Sequence, residues 1–244
     1  MTATCTDPRL WHARAQAYIS LDQWDKAVAD LDKCLELDGA CVAAWSERGS
    51  IFSRLGQWDN VIRDCSRAIQ LKPDALEAYS HRARAYAELS RWDKALADFG
   101  KIEELQGNSA DAKNTLAWLL ANCPEVRYRD PHRAVELAKK AVALAPKVGR
   151  FHNTLGVAHY RAGNWSAAIK ELEESNKLRK GGNSFDWFFL AMAHWRLDQK
   201  DEGLNWYKQA VEWLEKNGQS RPRKAREELT RFRAEAKELL MVKE

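Results

Sequence analysis

The sequence repeats itself every 34 residues, and that period limits the fold more than any other feature of the chain. Trp24, Trp58 and Trp92 lie 34 apart, and each precedes an aspartate (Asp25, Asp59, Asp93). Arg14, Arg48 and Arg82 keep the same interval, as do Asp30, Asp64 and Asp98. The unit is clearest in Val42–Ala75. Trp45, Gly49, Phe52 and Leu55 fall at helical spacing before Gly56-Gln57-Trp58-Asp59 interrupts the pattern. Ile62, Cys65, Ala68, Ile69 and Leu71 then form a second apolar stripe that ends at Pro73. Two amphipathic runs around a turn signal predict a helical hairpin. A unit this short cannot bury its apolar face alone, so the copies must stack around a continuous core.

A two-helix unit of 34 residues resembles the tetratricopeptide repeat. The resemblance implies an all-α solenoid, a right-handed superhelix of helix–turn–helix repeats whose first helices line a concave groove. Repeats 1–3 (Pro8–Cys41, Val42–Ala75, Leu76–Ser109) span residues 8–109, and repeats 4–6 span residues 110–217. Repeat 4 departs from the pattern. Its first helix, Ala112–Asn122, precedes a turn lengthened by about five residues, Cys123–Pro131, with Pro124 and Pro131 stopping the helices on either side. An insertion in a regular array is a place where function can attach, or simply a longer connection. Repeat 5 runs from Gly149 to Gly182, and repeat 6 from Ser184 to Asn217 with Ser184 expected as its N-cap. A single helix over residues 219–241 follows, with Ala225, Leu229, Phe232, Ala236 and Leu239 on one face. It is expected to cap the last layer. Glutamates interleave with its basic residues, which predicts a solvated face and no nucleic-acid or membrane patch.

The repeats fall into two sets. In repeats 1–3 an arginine of the first helix is matched by an aspartate sixteen residues later, giving Arg14 with Asp30, Arg48 with Asp64 and Arg82 with Asp98. In repeats 4–6 the arginine is replaced by Leu116, Leu155 or Leu190, and the aspartate by Leu137, Glu171 or Trp206. Charges that come and go together predict ion pairs across the first three hairpins and apolar contacts in the last three. A half-buried guanidinium without its carboxylate would be left desolvated and unpaired.

Composition excludes several classes. With 30% charged residues and a net charge of +4, the chain is no strong polyanion binder. No window approaches the ~18 apolar residues of a membrane span. The opening residues Met1–Thr6 have neither the basic region nor the apolar run of a secretion signal. Five cysteines without CxxC spacing argue against a disulfide framework or a zinc site. Cys34 and Cys65 are expected to be small buried thiols in a reducing, cytoplasmic compartment. HExxH, GxSxG and phosphate-loop patterns are all missing, so no enzyme, cofactor or metal is expected. His159 and His194 occupy equivalent positions in successive repeats. Neighbouring helices lie ~10 Å apart, which favours packing over a shared metal.

Under the same resemblance the groove positions can be assigned residue by residue. Repeats 1–3 place small or polar side chains there, such as His12, Gln16, Ser50 and Ser80. Repeat 4 offers Asn114, Trp118 and Asn122, repeat 5 offers Arg150, Asn153, Tyr160 and Arg161, and repeat 6 offers Phe185, Phe188, Met192, Trp195 and Arg196. Asparagine amides can pair with an extended peptide backbone, aromatic and methionine side chains form pockets, and arginines anchor carboxylates. Aromatics in that number need a cover: a partner peptide, a second copy of the chain, or the last helix. The lysine–asparagine clamp for chaperone tails is absent, since its positions hold His12, Gln16, Glu47, Glu77 and His81.

Residues 110–240 also resemble the repeat tails of planctomycete proteins. The likeness rests on Arg127-Tyr128-Arg129-Asp130-Pro131, Asn153–Gly163 and Gly181–Met192. It implies a bacterial origin and a scaffold role. Such tails accompany serine/threonine kinases or β-propellers, but no kinase motif occurs here. The chain is therefore expected to be a stand-alone adaptor or a piece of a larger protein. Its partner is expected to be a protein segment bound along repeats 4–6. The alternative is self-association into a homo-oligomer through repeat 6 and the last helix.

Overall fold

The interruption inside a unit sets the backbone most directly, because one left-handed residue is enough to reverse a helix. In the computed structural model, which describes residues 6–181 and 184–242, thirteen helices and no strand occur among the described residues. They divide into two compact units, Met1–Gly107 and Asn108–Glu244. The first holds three hairpins: α1 (Pro8–Ser20) with α2 (Trp24–Leu37), α3 (Val42–Arg54) with α4 (Trp58–Leu71), and α5 (Leu76–Glu88) with α6 (Trp92–Leu105). The second pairs α7 (Ala110–Asn122) with α8 (Pro131–Leu144), α9 (Gly149–Arg161) with α10 (Trp165–Leu178), and α11 (Ser184–Arg196) with α12 (Lys200–Asn217). It closes with α13 (Arg223–Leu240).

Five of the hairpin turns share one backbone conformation. Asp22, Gly56, Ser90, Gly163 and Asp198 have φ of +55°, +71°, +55°, +79° and +63°. The next amide then donates back to the last turn of the first helix. Gln23 to Tyr18 and Gln57 to Phe52 measure 2.9 Å, Arg91 to Tyr86 2.8 Å, and Gln199 to His194 3.0 Å. Glycine takes this conformation freely and aspartate more readily than most side chains. Small residues bring the paired helices together: a Cβ on Gly156 would come within 2.6 Å of Leu172 Cγ. Ala27, Ala95, Ala134, Ala168 and Ala210 on the second helices are fully buried.

The long turn of repeat 4 is held at both ends. It makes one 3₁₀ turn at Val126–Tyr128, while the Asp130 amide donates to Leu120 O (2.9 Å) and Arg129 Nε to Cys123 O (2.8 Å). The Asp130 carboxylate then caps α8 through the Arg133 amide, with Pro131 in the first turn. Ser184 does not act as the expected N-cap. It begins α11, and its buried hydroxyl donates to Ala210 O on α12 (3.0 Å). Gly182 and Asn183 lie outside the described residues.

In the first unit the repeating arginines and aspartates meet. Arg14 binds Asp30 at 2.6 and 2.7 Å, Arg48 binds Asp64 at 2.6 and 3.0 Å, and Arg82 binds Asp98 at 2.8 Å twice. Each contact is the two-pronged form that arginine makes best with a carboxylate. Each guanidinium also lies over an aromatic ring one turn earlier, Trp11, Trp45 or Tyr79, at 4.7, 4.8 and 5.5 Å. The remaining nitrogens reach back one repeat, from Arg48 to Asp32 and from Arg82 to Ser66 Oγ.

The second unit solves the same position differently. In repeat 4, Leu116 and Leu137 are buried, and in repeat 6, Trp187 packs on Trp206 with centroids 6.4 Å apart. Repeat 5 corrects the expectation of apolar contacts throughout. His152 Nδ1 meets Glu171 at 2.8 Å while its Nε2 meets Pro146 O at 2.9 Å. The ring copies Trp45, whose Nε1 donates to Gly39 O at 3.0 Å. Histidine has a second nitrogen, which a carboxylate on the next helix satisfies.

Asp64 is wholly buried, so Asp64→Ala takes two hydrogen bonds from Arg48 and leaves Asp32 as its carboxylate, which should lower stability by about 2–3 kcal/mol. Arg48→Leu with Asp64→Leu, the combination natural to repeat 4, should recover most of that loss. Urea unfolding measures both, and an Asp64→Ala loss below about 1 kcal/mol would show that the pair is screened.

Candidate functional site

The most elaborate side-chain chemistry lies where α13 packs on the first-helix face of the second unit. Leu229, Phe232, Ala236 and Leu240 form the buried stripe of α13, at 2% exposure or less. Phe232 enters an aromatic box. Its centroid is 6.2 Å from Trp118, 6.2 Å from Phe185 and 4.9 Å from Phe189, all edge-on. These are the geometries that an aromatic quadrupole favours.

Polar groups of the same helix face make equally defined contacts. Trp118 Nε1 donates to Glu228 at 3.0 Å. Arg231 Nη2 donates to Asn122 O, at the carbonyl end of α7, at 2.8 Å. Arg161 holds the Glu235 carboxylate with both terminal nitrogens, Nη2 at 2.7 Å, and stacks on Phe189 at 5.1 Å. Burial raises the Glu228 carboxyl above its ordinary value, opposed by the Trp118 bond and by Arg231. Burial also lowers Arg231, with Glu228 opposing and Arg161 reinforcing.

The structure separates the residues that the sequence singled out. Trp118, Asn122, Arg161 and Phe185 come together beneath α13. Tyr160 joins them through an edge-on contact with Phe189 at 5.4 Å, and its phenol is raised by burial and by Glu235. Phe188 and Met192 do not line an open groove. Both are wholly buried, and Phe188 packs on Tyr207 of α12 at 6.0 Å. Trp195 and Arg196 lie at the end of α11, where the Lys200 ammonium sits 4.1 Å from the Trp195 ring. Asn153 is buried and donates to Asp186 Oδ1 at 2.9 Å, tying α9 to α11. Sequence reasoning missed Phe189, Glu228, Arg231 and Glu235. The signal was there: 228, 231, 232 and 235 are spaced i, i+3, i+4, i+7.

α13 leaves one part of this face open. A cleft of about 280 Å³ is lined by Asn114, Trp118, Arg150, Asn153, Thr154, Arg179 and Phe185. Asn114 Oδ1 is buried there without a donor from the protein. Arg150 bonds Asp111 at the exposed rim, and Arg179 Nη1 stands 3.8 Å from Asp186. Trp118 and Phe185 form its aromatic walls, and the other five lining residues are polar or charged.

The remaining reactive groups are quiet. Burial pushes the Cys34 thiol up to about 11, with Cys41 adding to the shift, and the Cys65 thiol up to about 12, with Asp64 adding. His159 and His194 are buried, and their Nδ1 atoms face Asn164 (3.4 Å) and Gln199 (2.6 Å). Among the described residues no group of three or more His, Cys, Asp or Glu is placed to hold a metal ion. No helix among them is long and apolar enough to cross a membrane.

Three family models, each described as tetratricopeptide repeat, match residues 8–51, 125–177 and 187–217. Comparison with curated proteins gives no match. Among solved structures, YrrB, titled a TPR protein with an unusual peptide-binding site, is 18% identical with a TM-score of 0.64 over 72% of this chain and 89% of its own. MamA from Desulfovibrio magneticus RS-1 is 17% identical, TM-score 0.61, covering 71% and 95%. PilF from Pseudomonas aeruginosa is 13% identical, TM-score 0.62, covering 93% and 97%. Likeness at these identities establishes the fold.

The Glu228 carboxyl titrates higher in the folded chain than in the unfolded one, so folding takes up a proton. Its contribution is most favourable below the unfolded value and is lost as pH rises through the folded value. Glu228→Gln keeps an acceptor for Trp118 and removes that loss. It should raise the melting temperature at pH 7 by roughly 2 °C and leave it unchanged near pH 4. A drop at pH 7 would mean that the Arg231 attraction outweighs burial.

Proposed function

We propose that this chain, which belongs to the tetratricopeptide repeat family, is a non-catalytic scaffold that binds a protein segment on the first-helix face of repeats 4–6. The observation that carries the reading is the open cleft of about 280 Å³ beside α13. Asn114 Oδ1 lacks a donor, and the backbone amide of a bound segment supplies one. Arg150 and Arg179 suit a carboxylate, and Trp118 with Phe185 suits an apolar side chain. YrrB, described as having an unusual peptide-binding site, lends the reading a precedent on this fold. We place the protein in a reducing cytoplasm, in keeping with the buried, unreactive thiols of Cys34 and Cys65.

A second reading, self-association through repeat 6, has its own support. Leu204, Tyr207 and Val211 of α12 correspond to Ile62, Cys65 and Ile69 of α4, which pack into the core around Ala78 and Ala85 of the next repeat. On α12 they line an apolar cleft of about 350 Å³ with Val242. A mass near 27.9 kDa across a wide concentration range would remove this reading.

The scaffold reading is tested by selecting a displayed library of random peptides on the full chain. Sequences joining an acidic to an aromatic residue should be enriched, and Arg150→Glu should weaken them about tenfold, the equivalent of about 1.4 kcal/mol. Binding that is indifferent to Arg150→Glu and Asn114→Leu would place recognition elsewhere.

A further inference from the structure

The contacts of α13 read as those of a ligand. Glu228, Arg231, Phe232 and Glu235 follow the i, i+3, i+4, i+7 spacing by which an amphipathic helix is read in a groove. Each has a dedicated receiver: Trp118 Nε1, the carbonyl of Asn122, the box of Trp118, Phe185 and Phe189, and the Arg161 guanidinium. A helix kept only to cover the last layer needs none of these charges, since apolar residues of similar volume would serve as well or better.

The fit is also incomplete. Both amide atoms of Asn122, Nε of Arg161 and Nε of Arg231 are buried without hydrogen-bond partners. Each unsatisfied group subtracts from the hold of α13 on the face and leaves room for an occupant that satisfies it. The tie to the repeats is short: a 3₁₀ turn at Gly218–Ser220 and then Pro222 separate α12 from α13. Releasing α13 therefore breaks no hydrogen bond within a repeat hairpin.

We infer that the first-helix face of the second unit is an exchangeable helix receptor, held in cis by α13. Its external partner is an amphipathic helix of another protein with two carboxylates seven residues apart and an aromatic residue between them. The carboxylates meet Trp118 and Arg161, and the aromatic enters the box. Charge complementarity commits the choice, because the face supplies a guanidinium and an indole N–H as its terminal anchors. The inference shares a face with the proposed scaffold function but uses neither Arg150 nor Asn114, so either can fail without the other.

The test uses the full chain and a fluorescent synthetic peptide of residues 221–240. Phe232→Asp in the chain ejects α13 and opens the face. The peptide should bind this variant saturably and at least about tenfold more tightly than it binds the wild-type chain, where the tethered helix competes at high effective concentration. A peptide carrying Glu228→Lys and Glu235→Lys should lose that binding. No saturable binding to a Phe232→Asp chain of unchanged helicity would overturn the inference, as would equal binding of the reversed-charge peptide. A wild-type chain that dimerises by trading α13 would overturn the external partner in favour of a second copy. If Phe232→Asp loses helicity, Glu235→Lys in the chain weakens only the Arg161 anchor, and the same comparison and the same outcomes apply.

Discussion

Everything in this chain follows from a unit that cannot cover its own apolar face. A hairpin of two helices of 13 and 14 residues buries one side of each helix and leaves the other to its neighbour. Stability then resides in layers, each completing the one before it. Alanines at the contact positions let the helices approach closely, and the fixed turn keeps successive hairpins in one register. The same requirement makes the final layer a problem. In the second unit that problem is met by α13, which lies on the first helices as well as beside α12.

The two units hold their hairpins together by different means. The arginine–aspartate clamp is stiff and specific: two hydrogen bonds, a ring beneath, and a reach back to the previous repeat. It also leaves a buried carboxylate without its main partner if the arginine is lost. The leucine and tryptophan contacts of repeats 4 and 6 carry no such liability, and the His152–Glu171 pair of repeat 5 sits between these extremes. The difference matters for the face that binds. In the first unit the arginines are spent on internal order. In the second, the interior position is leucine, and Arg161 at the end of α9 holds Glu235 of α13.

How much of this could be read from the sequence depends on what periodicity encodes. The helices, the places where they turn and the partners of Arg14, Arg48 and Arg82 follow from residues repeated at one interval, where each copy checks the others. Position in the repeat alone assigns Phe188 and Met192 to the groove. A helix as apolar as α11 has no polar face to orient it, so the packing of Tyr207 against Phe188 decides which way the ring points. On α13 the charges misled in the opposite sense. Alternating arginines and glutamates imply solvent on both sides, and composition cannot tell Glu228 and Glu235, which face protein, from Glu227 and Glu238, which face water. Only the companion residues Trp118 and Arg161, more than seventy positions away in sequence, make that distinction.

That distance is also why the last helix is more than a lid. A lid needs area, and Leu229, Phe232, Ala236 and Leu240 supply it. Placing a carboxylate against a half-buried indole and another against a largely buried guanidinium adds little net stability once desolvation is counted. It does fix register, direction and identity, since a helix shifted by one turn would set Phe232 against Arg161 and leave Trp118 without an acceptor. Discrimination of that kind has no use for a segment that is always tethered and has only one way to dock. It is useful on a surface where more than one helix competes, and there the imperfect fit of the tethered one sets how well a competitor must match.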